Sequence, residues 1–286
     1  MTPRGLVLGG GGITGIAWET GLLWGLAEAG LDLTDADRIV GTSAGSIVGA
    51  QVTSDIGLEE LYRRQLLPPA DDAPLSSIGP GVAAQFVVSL LRARGDVTRF
   101  GRLLGAASVR TAAQGRTPTV DDRYAQVGQR IGGLTWPDRD LVITAIHVGT
   151  GELATFGPRT TRPAVSLEDA VNASCAVPLI YPPIPIDGDS YIDGGARSGS
   201  NADLMVGMDV VIAITPMDRS VGPLRSAAQQ LEDIGVQHLV ISPDTASRTA
   251  IGKNVLDPAA RPPSARAGYA QAALEIDRLR ALWSDR

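Results

Sequence analysis

Two glycine-rich segments near the N-terminus carry residue types that acyl chemistry needs. They are GGGGITG at residues 9–15 and GTSAG at residues 41–45. Each follows a short apolar run and precedes a segment of helical character, which is typical of a strand–turn–helix unit. The second has the form Gly-x-Ser-x-Gly, in which a sharp turn holds the serine hydroxyl away from the backbone. We therefore predict that Ser43 is a nucleophile.

A serine that attacks a carbonyl also needs donors for the negative charge that develops on the oxygen. The amide of Ala44, directly after the nucleophile, points near the reacting centre in turns of this kind. Amides of the first glycine segment can approach as well, because no side chains block them and a helix N-terminus adds a favourable dipole. We predict an oxyanion site formed by Gly10, Gly11, Gly12 and Ala44.

The general base is predicted to be a carboxylate. His147 lies inside a β-branched run and His238 opens a later one, so we expect structural roles for both histidines. Asp193 is followed by Gly194 and Gly195, which let the chain turn directly after the carboxylate. A carboxylate that hydrogen-bonds directly to a hydroxyl can accept its proton, because geometry comes before pKa in choosing a base.

Two further aspartates compete with this assignment. Asp187 belongs to the DG pair of a predicted hairpin and Asp189 follows that pair, and these positions favour roles in the turn. The glycines at the corners of the three motifs are expected to be needed for the backbone geometry. They are Gly15, Gly41, Gly45, Gly194 and Gly195.

The rest of the chain predicts the elements that position these residues. Strands are predicted at 5–8, 38–41, 141–148, 153–156, 209–214 and 238–241, with a hairpin over 182–193. Helices are predicted at 13–29, 44–53, 58–67, 82–91, 166–176 and 264–283, with another that Asp121 or Asp122 caps and that ends at Ile131. Apolar strands that alternate with helices indicate an α/β fold with a mainly parallel central sheet flanked by helices, in three layers α/β/α.

We expect a single domain over residues 1–286. After a predicted loop at residues 68–74, the stretch up to residue 120 contains apolar and arginine-bearing helical segments. Residues 68–120 are therefore predicted to form either a helical insertion that caps a pocket or surface helices that close the core.

Composition narrows the function classes. The chain has 44% hydrophobic and 20% charged residues and a formal net charge of -6, which argues against nucleic acid as a partner and against a general attraction to anionic membranes. A local cluster of arginines still allows transient contact with a membrane surface, despite the negative net charge. Such a cluster is more often a solvated helix face. It consists of Arg92, Arg94, Arg99 and Arg102.

Compartment and anchoring follow from other features. The single cysteine, Cys175, allows no intrachain disulfide, and no apolar run approaches the roughly 20 residues of a membrane-spanning helix. The N-terminal residues lead directly into a predicted strand, so we expect no signal peptide and a cytoplasmic protein. Nothing in the sequence specifies an oligomeric state.

The motifs GGGGITG, GTSAG and DGG, in that order, resemble those of the patatin-like phospholipase family. ASCAVP at residues 173–178, ahead of YPP, is similar to the family's small-residue helix and proline turn. The resemblance covers about residues 5–53 and 167–215. It implies a lipid acyl hydrolase that acts through an acyl-enzyme and a Ser43–Asp193 dyad. It also implies an oxyanion loop at Gly10 to Gly12, a lipid or acyl-ester substrate, and no metal or other cofactor.

One position departs from the family pattern. Members often carry Arg or Lys where this chain has Thr14. The change bears on the preference for phospholipid headgroups and leaves the acyl chemistry in place. Release of the acyl group to an alcohol, as in a transacylase, belongs to the same chemistry.

Two other interpretations stay open. Residues 10–15 also match Gly-x-Gly-x-x-Gly, a dinucleotide-binding fingerprint, although the second strand leads into GTS where a Rossmann unit needs an acid. The second is a non-catalytic acyl-binding protein on the same fold. In that case Ser43 caps a helix and Asp193 stabilises a turn.

Overall fold

The computed structural model describes residues 2–68, 79–162, 164–217 and 226–283, and eight strands in these ranges form one sheet. The strands are β1 (Arg4–Leu8), β2 (Arg38–Thr42), β3 (Asp140–His147), β4 (Leu153–Phe156), β5 (Ile184–Ile186), β6 (Asp189–Asp193), β7 (Val210–Ile214) and β8 (Gln237–Ile241). The helices are α1 (Gly12–Glu28), α2 (Ala44–Val52), α3 (Leu58–Leu66), α4 (Pro80–Ala93), α5 (Val97–Ala113), α6 (Val120–Ile131), α7 (Leu167–Ser174), α8 (Ala227–Asp233), α9 (Thr245–Ile251) and α10 (Arg261–Trp283).

The sheet is mainly parallel, as predicted. β1 pairs in parallel with β2 and β7, β2 with β3, and β7 with β8. β4 and β6 pair antiparallel with β3, and β5 pairs antiparallel with β6. β1 and β7 are buried along their whole length, which explains why β7 and the part of β1 after Arg4 are continuous apolar runs rather than alternating ones.

Successive residues of the strands face opposite layers of helices. Leu6 and Leu8 belong to the larger apolar cluster, which includes Trp18 of α1 and Leu279 of α10. Val7 belongs to a second cluster on the other face, together with residues of β7 and α8. This alternation confirms the three-layer α/β/α arrangement, because side chains of a strand point to the two faces in turn.

α1 and α10 pack with their backbones in close approach. A Cβ atom added to Gly268 of α10 would lie 2.1 Å from the carbonyl oxygen of Trp18. The same addition at Gly21 of α1 would meet the carbonyl oxygen of Ala265 at 2.1 Å. The Trp18 indole donates a hydrogen bond to Gln271 Oε1 across the same interface, at 3.1 Å. The two glycines therefore set the distance between the helices.

Most predicted elements are present with ends shifted by a few residues. The stretch before residue 120 contains two helices, α4 and α5, and α5 packs on the apolar ends of β3 and β6. The predicted loop at residues 68–74 lies outside the described residues after position 68. Whether 68–120 works as a cap stays a prediction.

Two local features differ from the sequence-based expectation: the residue that caps α6, and the presence of α8 and α9. α6 is capped by Thr119, and not by Asp121 or Asp122: the Asp122 N–H donates to Thr119 Oγ1, and the Asp122 carboxylate accepts the Thr119 N–H in return. The sequence pattern does not predict α8 and α9, because each has only seven residues and few apolar positions.

Within the described ranges, no helix combines the length and apolarity needed to cross a lipid bilayer.

Gly268→Ala tests the α1–α10 contact. The added methyl group would overlap backbone atoms, which cannot rotate away, so we expect the free energy of unfolding to fall by about 2 kcal/mol or more. Urea denaturation measures this. The matched control is Gly81→Ala in α4, where an added Cβ would meet nothing within 4 Å. Equal effects of the two substitutions would contradict the close approach.

Candidate active site

Ser43 occupies the corner between β2 and α2. Its φ of 53° and ψ of -116° lie in a region that side-chain-bearing residues rarely adopt, at a cost on the order of 1–3 kcal/mol. The corner is tight because α2 begins directly against β1: a Cβ atom on Gly45 would lie 2.0 Å from the Leu8 carbonyl oxygen. A sharp strand-to-helix corner of this kind agrees with the backbone expected for a Gly-x-Ser-x-Gly turn.

The structure brings Ser43 and Asp193 into direct contact. Ser43 Oγ donates a hydrogen bond of 2.7 Å to Asp193 Oδ2. The two residues are only 8% and 4% exposed. The contact follows from register, since Thr42 pairs with Thr144 of β3 and Asp193 pairs with the next residue, Ala145. One strand thus joins the ends of β2 and β6.

Further hydrogen bonds hold the pair. Asp193 Oδ1 accepts the Gly195 N–H at 2.7 Å, and the Ser43 N–H donates to Ser174 Oγ at 2.9 Å. The sequence alone assigns no role to Ser174, although it lies in the ASCAVP segment that carries part of the family resemblance. The hydrogen bonds fix both the carboxylate and the corner that presents the hydroxyl.

A buried polar network underlies the corner. Asn201 Nδ2 donates to the hydroxyls of Thr42 and Thr144 at 3.1 and 3.2 Å, and these two hydroxyls are 2.8 Å apart. No sequence signal marks Asn201, because a single asparagine in a loop carries no pattern. The network connects the loop after β6 to the strand that ends directly before Ser43.

The environment adjusts the acidity of Asp193. Burial raises the pKa of its carboxyl to about 6, while the hydrogen bonds from Ser43 and Gly195 and the positive charge of Arg123 act in the opposite direction. At neutral pH the carboxylate is mostly ionised and accepts a proton more readily than an exposed aspartate would.

The first glycine segment lies beside Ser43, but one of its predicted donors is engaged. A Cβ atom on Gly10 would be 3.5 Å from Ser43 Cβ, yet the Gly10 N–H already donates to the Gly199 carbonyl at 2.7 Å. In this conformation the Gly10 amide is therefore not available to an oxyanion, and its predicted role stays a prediction.

Three predicted donors remain available. Within the part of the chain that the structure describes, no acceptor pairs with the amides of Gly11, Gly12 or Ala44. Gly12 and Ala44 are the first residues of α1 and α2, where amides have no intrahelical partner and the helix dipole favours negative charge. Both residues line the same pocket as Ser43.

The other candidate bases have different partners. His147 Nε2 lies 3.1 Å from Asp189 Oδ1, and its Nδ1 accepts amides of the following turn. His238 Nδ1 contacts the Val236 carbonyl. Asp187 has a φ of 52° in the tight turn of the β5–β6 hairpin. Among the described residues, none of these four side chains forms a hydrogen bond with the Ser43–Asp193 pair.

A pocket of about 270 Å³ opens over Ser43. Its apolar lining comes from α1, α2, α6 and adjoining loops: Ile13, Ile16, Ile47, Val127, Val177 and Leu256. Its polar lining includes Arg123, Arg130, Tyr181 and Arg261. An acyl chain fits the chemistry of the apolar lining.

A family model described as Patatin-like phospholipase matches residues 6–206, a segment that contains all three motifs. The chain belongs to the patatin-like phospholipase family. Membership supports lipid acyl hydrolysis as the general activity. It also favours this chemistry over the dinucleotide interpretation of the same glycines. No curated protein sequence matches the chain significantly.

Two solved structures are similar to this patatin-like chain. VipD from Legionella pneumophila has a TM-score of 0.49 and 14% sequence identity, with 97% of this chain and 67% of VipD covered. The type III effector protein ExoU has a TM-score of 0.46 and 17% identity, with 97% of this chain and 53% of ExoU covered. The chain therefore spans about two thirds of VipD and about half of ExoU.

Asp193→Asn is expected to stabilise the protein at neutral pH. Since the folded-state pKa of about 6 lies above the ordinary 3.8, the stability that the carboxyl contributes is complete only below the ordinary value and is lost as pH rises through about 6. The difference corresponds to about 3 kcal/mol for a buried charge, so we expect urea denaturation to show a gain of about 1–3 kcal/mol. In acid, below the ordinary value, the gain disappears.

Asp189→Asn is the matched control for this measurement. A hydrogen bond from His147 lowers the pKa of Asp189, so the ionised form is favourable there. Its replacement is expected to leave the stability unchanged or to reduce it. Equal stabilisation by both substitutions would show that Asp193 is not held in an environment that disfavours its charge.

Proposed function

We propose that the protein is a serine acyl hydrolase that cleaves lipid acyl esters through an acyl-enzyme, with Ser43 and Asp193 as its catalytic dyad. The observation that carries the proposal is the 2.7 Å hydrogen bond from Ser43 Oγ to Asp193 Oδ2 at a strained strand-to-helix corner. A serine that merely capped α2 would accept an amide of the first turn, but Ser43 makes no such side-chain bond.

Acylation follows from this geometry. As Ser43 Oγ attacks the ester carbonyl, Asp193 takes the hydroxyl proton, and a tetrahedral intermediate forms. The negative charge on its oxygen is stabilised by the amides of Gly11, Gly12 and Ala44. The intermediate then expels the alcohol, which receives the proton from Asp193.

Deacylation reuses the same groups. A water molecule loses a proton to Asp193 and attacks the acyl carbonyl, the bond to Ser43 Oγ breaks, and the proton returns to that oxygen. The fatty acid leaves and the dyad is restored. A carboxylate with a pKa of about 6 suits both directions, because it accepts a proton at neutral pH and gives it up again.

We also propose that α4 contacts an anionic lipid surface, where the substrate would be found. Its apolar residues Val87, Val88, Leu90 and Leu91 are exposed, with Leu91 72% accessible. Arg92 and Arg94 follow directly and are exposed as well. An exposed apolar helix face with flanking arginines is typical of interfacial membrane contact.

Ser43→Ala is expected to lower kcat/KM for a short-chain ester by roughly 1,000-fold or more, since the attacking oxygen is lost. Asp193→Asn is expected to have a similar effect. For the wild type, kcat/KM should fall about tenfold per pH unit below about pH 6, as Asp193 becomes protonated.

The control for the serine is Ser264→Ala in α10, which removes a fully buried hydroxyl that donates to the Ala260 carbonyl. This variant should keep its activity. Full turnover by Ser43→Ala would refute the nucleophile, and full turnover by Asp193→Asn would refute the dyad.

Membrane contact is tested by sedimentation with vesicles that contain phosphatidylglycerol. Leu91→Asp places a charge on the exposed face of α4, so we expect it to weaken vesicle binding by roughly tenfold. Leu274→Asp is the control, because Leu274 is 69% exposed on α10. A docking role for α4 would be contradicted if the wild type did not bind the vesicles. It would also be contradicted if the wild type, Leu91→Asp and Leu274→Asp bound them equally strongly.

A further inference from the structure

Three arginines are among the residues that line the pocket over Ser43. Arg123 and Arg130 project from α6, and Arg261 is the first residue of α10. The residues that line the pocket include no aspartate or glutamate, and no described carboxylate forms an ion pair with any of the three guanidinium groups. We refer to these three residues as the arginine face.

Arg123 is held rigidly close to the dyad. It is only 6% exposed, and its guanidinium lies 3.6 Å from the centre of the Tyr181 ring. Its Nη atoms donate to Gln126 Oε1 at 2.6 Å and to the Cys175 carbonyl at 3.3 Å. Its Nε is buried and has no hydrogen-bond partner. A buried guanidinium with an unused donor and no salt-bridge partner is unfavourable unless an acceptor completes it.

Arg130 and Arg261 add positive charge to the same pocket. Burial lowers the pKa of Arg130, and the positive charges of Arg123 and Arg261 lower it further. Arg261 has a buried Nε without a partner, while its Nη2 donates to the Leu67 carbonyl at 2.7 Å. It also stands at the N-terminus of α10, where the helix dipole disfavours a cation. Three like charges thus lie close together, and among the described residues no carboxylate forms a salt bridge with any of them, although Arg123 interacts electrostatically with Asp193.

We propose that the arginine face binds the phosphomonoester of an acidic acyl ester, and selects it over zwitterionic phosphocholine esters and neutral glycerides. The inference rests on the proposed acyl hydrolase function. Guanidinium groups match phosphate oxygens with paired N–H donors, and a phosphomonoester carries more than one negative charge. A choline cation would meet three like charges, and the Tyr181 ring that could receive it is already covered by Arg123.

The arrangement also accounts for Thr14. Its side chain is buried and its hydroxyl lies within hydrogen-bonding distance of the carbonyls of Gly11 and Val255, so the glycine loop supplies no charge of its own. Positive charge reaches the site from α6 and α10 instead. The acyl chain would lie on the apolar lining of the pocket, with the ester at Ser43 and the phosphate on the arginine face.

Binding to the inactive Ser43→Ala protein tests the selectivity independently of catalysis. The probes are three single-chain lipids with the same acyl chain: acylglycerol phosphate, acylglycerophosphocholine and monoacylglycerol. We expect acylglycerol phosphate to bind at least about tenfold more tightly than the other two. Adding Arg130→Gln or Arg123→Gln should abolish this preference, and adding Arg110→Gln, an exposed arginine of α5, should preserve it.

Two outcomes would overturn the inference. Equal affinities for the three lipids would remove the selectivity. Glycerol phosphate or inorganic phosphate that binds Ser43→Ala as tightly as the acylated phosphate would make this a site for free phosphate rather than for a lipid headgroup. If Arg123→Gln does not fold, the binding measured with Arg130→Gln, which replaces a half-buried side chain, tests the arginine face instead.

Turnover separates this inference from the proposed function. If wild-type protein hydrolyses all three lipids at equal kcat/KM and Ser43→Ala hydrolyses none, the hydrolase stands and the selectivity fails. If Ser43→Ala binds acylglycerol phosphate selectively but the wild type hydrolyses no ester, the binding face stands and the hydrolase fails.

Discussion

The 2.7 Å hydrogen bond between Ser43 and Asp193 depends on how β3 is paired. Residues 140–144 of β3 pair with β2, residues 145–147 pair with β6, and so adjacent residues of one strand determine where both functional side chains lie. A shift of one residue in either pairing would turn one of these side chains to the opposite face of the sheet. The buried runs of β2 and β3 fix that register, because a slip would expose apolar side chains.

The sheet supports a site that contains several features, each of which lowers the stability of the folded protein. Ser43 has a strained backbone, Asp193 is a buried carboxyl with a raised pKa, and Arg123 is a buried cation whose Nε has no hydrogen-bond partner. Each would destabilise an isolated segment, and each is placed next to the pocket. Strain, a raised pKa and an unpaired donor at one position are typical of a site arranged for a bound substrate rather than for the empty protein.

The sequence predicts the parts of the site that depend on local chemistry. Ser43 and Asp193 stand in short motifs whose glycines mark the turns, and the apolar runs predict the parallel sheet. The sequence does not predict whether an amide donor is free. The Gly10 amide donates to the carbonyl of Gly199, a residue about 190 positions away that no local pattern connects to it. The arginine face is not predictable either, because Arg123 and Arg130 lie among the polar residues of α6, where a charge normally indicates a solvated face.

The central claim is that Ser43 attacks acyl carbonyls with Asp193 as its base. The most direct measurement is labelling by a fluorophosphonate, followed by mass spectrometry of the peptides to locate the adduct. The account predicts one adduct, on Ser43, which forms rapidly in the wild type and roughly 100-fold or more slowly in Asp193→Asn. An adduct on another serine, or labelling of Ser43 at an unchanged rate in Asp193→Asn, would contradict it.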